Sequence, residues 1–145
     1  MVAFFGNAGV VCYNFFGDQL WHRDLGKFET ELGLASSPVI HEDRVLVVCD
    51  HDGSPPTRFH SYVIALDLKS GVVLWKTERP DLFRSRSTPI IVAGEGKRVE
   101  AVINAQDQLR SYDLRDGKLL WWIDGMTGWV PPSPVFAHGM IFATS

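Results

Sequence analysis

Two stretches of this chain share one frame. Asp67-Leu-Lys-Ser-Gly71-Val-Val-Leu-Trp75 and Asp113-Leu-Arg-Asp-Gly117-Lys-Leu-Leu-Trp121 both read Asp-Leu-x-x-Gly-x-x-Leu-Trp. An earlier copy, Asn14-Phe-Phe-Gly17-Asp-Gln-Leu-Trp21, keeps Gly-x-x-Leu-Trp with one residue fewer before the glycine. The glycines, and with them the tryptophans, step by 54 and then 46 positions. A second landmark runs in phase with the first: Ser37-Pro38-Val39, Thr88-Pro89-Ile90 and Ser133-Pro134-Val135. Two landmarks at a common period near 50 mark an internal repeat, in which each unit buries its apolar surface against its neighbours.

Each unit reads as four short strands. In the second unit these are Val39–Ile40, Val45–Cys49, Tyr62–Asp67 and Val72–Lys76; in the third, Ile90–Ala93, Glu100–Asn104, Leu109–Tyr112 and Lys118–Trp122. The first unit supplies Val2–Phe5, Val10–Tyr13 and Asp18–Arg23, and Val135–Phe136 with Met140–Thr144 opens a further one. Val45-Leu46-Val47-Val48 is a continuous apolar run, as in a strand covered on both faces. In the Asp-x-x-x-Gly turns, at Asp67 and Asp113, the carboxylate can bind the turn's own amides, while Gly17, Gly71 and Gly117 tolerate positive φ. Trp21, Trp75 and Trp121 are large apolar plates with one N–H donor each, suited to packing between sheets. Pro38, Pro89 and Pro134 sit where a strand begins and no ladder donor is required. Residues 24–35 contain Gly26 and Gly33 and read as a connection between units, as do 77–87 and 124–132.

Composition narrows the function classes. Over 145 residues, 46% are hydrophobic and 21% charged, and the formal net charge is −3, which gives no electrostatic case for nucleic acid. No apolar run reaches the roughly 18 residues of a membrane-spanning helix. Residues 2–16 are apolar, but the first basic residue is Arg23, so no signal peptide is expected in this stretch. Cys12 and Cys49 are too few for a disulfide framework or a four-thiolate zinc site, and read as buried thiols.

Four-stranded units of about 50 residues, each with one tryptophan, indicate the blades of a β-propeller, an all-β fold. The units fall at about 1–35, 36–86, 87–132 and 133–145. The motif from Ala65 to Trp75 resembles the tryptophan-docking repeat of the pyrroloquinoline-quinone (PQQ) type, found in quinoprotein-like propellers, with Ser70 in the usual Thr place. Ser111 to Trp121 follows the same pattern, and Val11 to Trp21 is the weakest copy. About three and a half antiparallel blades are present, so the chain is expected to be a segment of a seven- or eight-bladed ring whose remaining blades complete it.

The resemblance implies three function classes. The first is a non-enzymatic propeller that binds protein partners or ligands through its rims. The second is a dehydrogenase that oxidises an alcohol or sugar with PQQ and calcium. The third is a sensor domain attached to a kinase or another module. Family resemblance alone supplies PQQ and calcium as cofactors and a periplasmic or extracytoplasmic residence. Quinoprotein dehydrogenases often carry a vicinal disulfide, and Cys12 and Cys49, 37 positions apart, do not form one. No metal site or catalytic residue is assigned from the sequence, and the absence of catalytic motifs favours the scaffold.

Polar candidates remain. Asp50-His51-Asp52-Gly53 starts like a calcium loop, but Pro55 and Ser61 occupy the places that need Gly and Glu, so it reads as a polar hairpin turn. His22, His41, His51, His60 and His138 show no ligand spacing and read as solvated. Lys76, Arg79, Arg84 and Arg86 read as a solvated connection, in which Arg84 and Arg86 could hold an anion if it lines the central funnel. Asn104, read as part of a polar turn, and Trp129, a conceivable quinone floor, complete the ligand candidates.

Overall fold

A computed structural model describes residues 1–30, 33–51, 60–80, 85–94, 96, 98–128 and 132–145. Its strands form antiparallel sheets in simple up-and-down order. The first sheet holds β1 (Val2–Phe4), β2 (Val10–Tyr13) and β3 (Gln19–Arg23), with a 3-10 turn at Gly6–Ala8 between β1 and β2. The second holds β4 (Val39–His41), β5 (Arg44–Cys49), β6 (Tyr62–Asp67) and β7 (Val73–Glu78). The third holds β8 (Ile90–Ala93), β9 (Val99–Ala105), β10 (Gln108–Asp113) and β11 (Leu119–Asp124). A hairpin of β12 (Val135–Ala137) and β13 (Met140–Phe142) follows. Each sheet is a propeller blade.

The blades stack face to face. Val45, Val47 and Cys49 of β5 pack with Val10, Cys12 and Trp21 of the first blade. The alternate residues, Leu46 and Val48, pack with Ala101, Ile103 and Tyr112 of the third. This explains the unbroken apolar run of β5: both faces are covered, and a fully buried Val or Leu contributes about 1.5–3 kcal/mol over an exposed one. The register shifts just before the last turn of each sheet, at Cys12/Tyr13, Ala65/Leu66 and Ser111/Tyr112. A recurrent irregularity there adds local twist.

Two joints between blades share one construction. The Trp21 indole donates to the Leu68 carbonyl and Trp75 to the Leu114 carbonyl, both at 2.9 Å. Two residues further on, Arg23 Nε donates to the Gly71 carbonyl at 2.8 Å, and Thr77 Oγ1 to that of Gly117 at 2.7 Å. The glycines have two reasons to be glycine. Their φ values are +68° and +76°, and a Cβ would stand 2.6 Å from Trp21 Cε3 at Gly71 and 2.8 Å from Trp75 Cδ2 at Gly117. Trp121 is placed differently: its indole donates to Glu100 Oε2 at 2.8 Å within its own blade, and the residue two further on is Ile123, which has no donor. Gly17, at φ +90°, has nothing within 4 Å of a would-be Cβ.

The residue before each Pro38-type proline also links blades. Ser37 N donates to Thr88 Oγ1 at 3.0 Å, and Thr88 N donates to Ser133 Oγ at 2.9 Å. The hydroxyl of one blade thus satisfies the amide of the preceding one, where the strand has not yet begun.

In the β6–β7 turn, Asp67 Oδ1 accepts from Ser70 Oγ at 2.6 Å, Ser70 N at 2.7 Å and Lys69 N at 3.1 Å. The Ser70 hydroxyl, then the Ser70 amide, hold this carboxyl below its ordinary value. A depressed carboxylate pKa stabilises the fold above the unfolded-state value near 3.9, and the contribution is lost as pH falls through the folded value. Asp67→Ala is therefore expected to melt below the parent protein at pH 7. The gap should close on acidification, as read from melting curves along a pH series. A gap that stays constant into acid would remove the carboxylate from the turn's stability.

Candidate functional site

Three turns from two adjacent blades enclose a cleft on one rim. His41, Glu42 and Arg44 come from the β4–β5 turn, Gly96, Arg98 and Val99 from the β8–β9 turn, and Asp113, Leu114 and Arg115 from the β10–β11 turn. The up-and-down topology sends these turns to the same end of their sheets. The cleft measures about 680 Å³, within the range of small-ligand sites.

Local chemistry fixes the walls. Glu42 takes φ +51° in the tight turn after His41, and His41 lies opposite Arg44 in the ladder. Leu114 N donates to Val99 O at 2.9 Å, tying two of the turns together. Asp113 Oδ1 accepts from Arg115 N at 2.8 Å. The guanidinium groups stand differently. Arg44 is held by the neighbouring Asp43 carboxylate. Arg115 lies 3.6 Å from Asp113 Oδ2 with its side chain 80% exposed. Among the described residues, Arg98 has neither an ion pair nor a hydrogen bond through its side chain.

The opposite end of the same two blades carries a buried ion pair that corrects the sequence reading. Arg79, read as part of a solvated connection, is 0% exposed, and Asp50, read as the start of a polar turn, is 2% exposed. Arg79 Nη1 lies 3.4 Å from Asp50 Oδ1, and its guanidinium carbon is 6.0 Å from the Tyr112 ring centre. Asp50 Oδ2 accepts from Ser85 N at 3.2 Å, and Ser85 Oγ donates to the Asn104 carbonyl at 2.8 Å. His51, expected in solvent, is buried against Phe28, the ring centres 5.1 Å apart. The connection after β7 and the end of β5 meet between blades, so burial and partners override the charge pattern.

Two of the four sequence-derived ligand candidates, Arg86 and Asn104, are among the described residues. Arg84 and Trp129 lie outside the described residues. Asn104, read as a turn residue, is in β9 and fully buried; its amide donates to the Thr144 carbonyl at 2.9 Å and the Pro132 carbonyl at 3.2 Å. Arg86 is only partly buried. Cys12 and Cys49 are buried free thiols, and desolvation pushes the Cys49 pKa upward, away from a reactive thiolate. No sequence argument singled out Arg44, Arg98 or Arg115. Their one legible signal was that each lies next to a hairpin turn on the same rim.

The family profile for outer membrane protein assembly factor BamB matches residues 2–123 and 59–145, and so spans nearly the whole chain. The chain belongs to the BamB family. The crystal structure of BamB from Moraxella catarrhalis superposes with a TM-score of 0.62 at 19% identity, over 96% of this chain and 36% of that one. That likeness shows the propeller fold, and this chain spans about a third of the BamB structure's length. No curated protein sequence matches it.

The buried Asp50 does not offer calcium a site. Calcium takes six to eight oxygen ligands with carboxylates among them. The buried carboxylate Asp50 instead faces a guanidinium, which works against a divalent cation. Among the described residues, no helix is long and apolar enough to cross a membrane.

Proposed function

We propose that this chain is part of a non-enzymatic propeller that holds protein partners through its rim turns, on the periplasmic side of an outer membrane. One observation carries the reading. Inter-blade joints at Gly71 and Gly117 lock adjacent blades into a stiff platform, and the rim turns converge on a solvent-facing cleft. The family description supports it, since it names an assembly factor and not an oxidoreductase. This chain supplies units near 1–35, 36–86, 87–132 and 133–145, and a longer ring supplies the remaining blades.

The test is crosslinking in intact cells, paired with a dye-linked alcohol and sugar oxidation assay in the presence of PQQ and calcium. A defined protein should crosslink through the rim turns, and the oxidation assay should stay blank. Cofactor-dependent oxidation without a crosslinked partner would overturn the scaffold reading.

A further inference from the structure

We infer that the rim cleft is a recognition site for an acidic peptide segment, bound through side-chain carboxylates by Arg98 and Arg115. The inference rests on the scaffold reading and names the partner chemistry. Its starting point is a contrast between three arginines in one cavity. Arg44 is spent on Asp43. Arg115, its side chain 80% exposed, lies 3.6 Å from the largely buried Asp113 carboxylate, too far for a good hydrogen bond, so most of its donors face solvent. Arg98 has no partner among the described residues. Two guanidinium groups, one from the β8–β9 turn and one from the β10–β11 turn, are therefore available on the cavity wall.

The geometry selects among anions. A guanidinium presents a planar fork of donors that matches a carboxylate with two parallel hydrogen bonds. Glu42 and Asp113 also line the cavity, and their charge disfavours a compact, multiply charged anion. Carboxylates spaced along a peptide can meet Arg98 and the solvent-facing donors of Arg115 one at a time, so no single group of high charge density has to sit beside Asp113. The cavity draws its walls from two blades, so a segment lying in it crosses a joint already held rigid by Trp75 and Thr77. A rigid receptor lowers the ordering cost of binding. The net charge of −3 argues against a general attraction for anions, which leaves the local arginines to provide it.

The experiment uses the full chain and a fluorescein-labelled hexaglutamate peptide, followed by fluorescence polarisation. Hexalysine and inorganic phosphate serve as comparison probes. The parent protein should bind hexaglutamate, more weakly as salt rises, and ignore hexalysine. Arg98→Ser/Arg115→Ser should weaken binding at least about tenfold, the loss of one charge-assisted contact, with an unchanged melting temperature. Lys27→Ser, at an exposed side chain outside the cleft lining, should bind hexaglutamate as the parent does. Equal binding by the double variant, or equal binding of hexalysine, overturns the inference. Displacement of the peptide by phosphate at equal concentration also overturns it, as a small-anion site. If the partner crosslinked in cells is retained by the double variant, the cleft assignment fails and the scaffold reading stands. If no partner crosslinks to any form, the scaffold reading fails, whatever the peptide does.

Discussion

Trp75→Ala is expected to lower the unfolding free energy by about 3–5 kcal/mol, the usual cost of emptying a buried aromatic site. The indole is one of the plates between blades, packed with Ala101, Ile103, Tyr112 and Leu114 and donating to the Leu114 carbonyl. Its loss opens a cavity and leaves that carbonyl without its indole donor. Trp122→Ala, at a side chain 55% exposed, should change stability by about 0.5 kcal/mol or less. Gly117→Ala should also be costly, because the new methyl group collides with the Trp75 ring at a backbone φ of +76°. In the Trp75→Ala background the collision with the ring is gone, while the backbone strain and the approach to Thr77 Oγ1 at 2.6 Å remain, so the two substitutions should be less than additive. Urea unfolding of the four proteins measures this directly. Strict additivity would mean that ring and glycine do not touch in solution.

Arg79→Ala should be nearly as damaging. Removing one partner of a buried ion pair strands the other charge, at about 3–5 kcal/mol. Here the stranded group is the Asp50 carboxylate, 2% exposed. The instructive comparison is Asp50→Leu/Arg79→Met, which removes both charges and keeps most of the volume. It should recover most of the lost stability, since an apolar replacement of a buried pair is often neutral. A loss below about 1 kcal/mol for Arg79→Ala would show that the pair is hydrated in solution and does not clamp the blades.

The blades were legible because their determinants are local. A glycine, a tryptophan four positions later and a proline opening the next unit each encode one piece of geometry, and repetition fixes the period. The strands lie where alternation and apolar runs placed them, with ends moved by one or two residues, as from Lys118–Trp122 to Leu119–Asp124. Arg79 was not legible, because Lys76, Glu78 and Arg79 form a charged cluster of the kind that normally lies in solvent. Its burial depends on Asp50, which lies 29 positions away. The rim cleft was hidden for the same reason: Arg44, Arg98 and Arg115 meet only once two blades are stacked. Trp121 obeys the motif in sequence, yet its indole turns to Glu100, an acceptor the motif does not contain.

The hydrogen bonds from Ser37 to Thr88 and from Thr88 to Ser133 both point the same way along the series. The unit opened by Thr88 gives an amide hydrogen to its successor and offers a hydroxyl to its predecessor. A unit copied in tandem would therefore carry both halves of the contact and fit its neighbour at once. Gene duplication could then lengthen or shorten such a series by whole units, with no junction needing new chemistry.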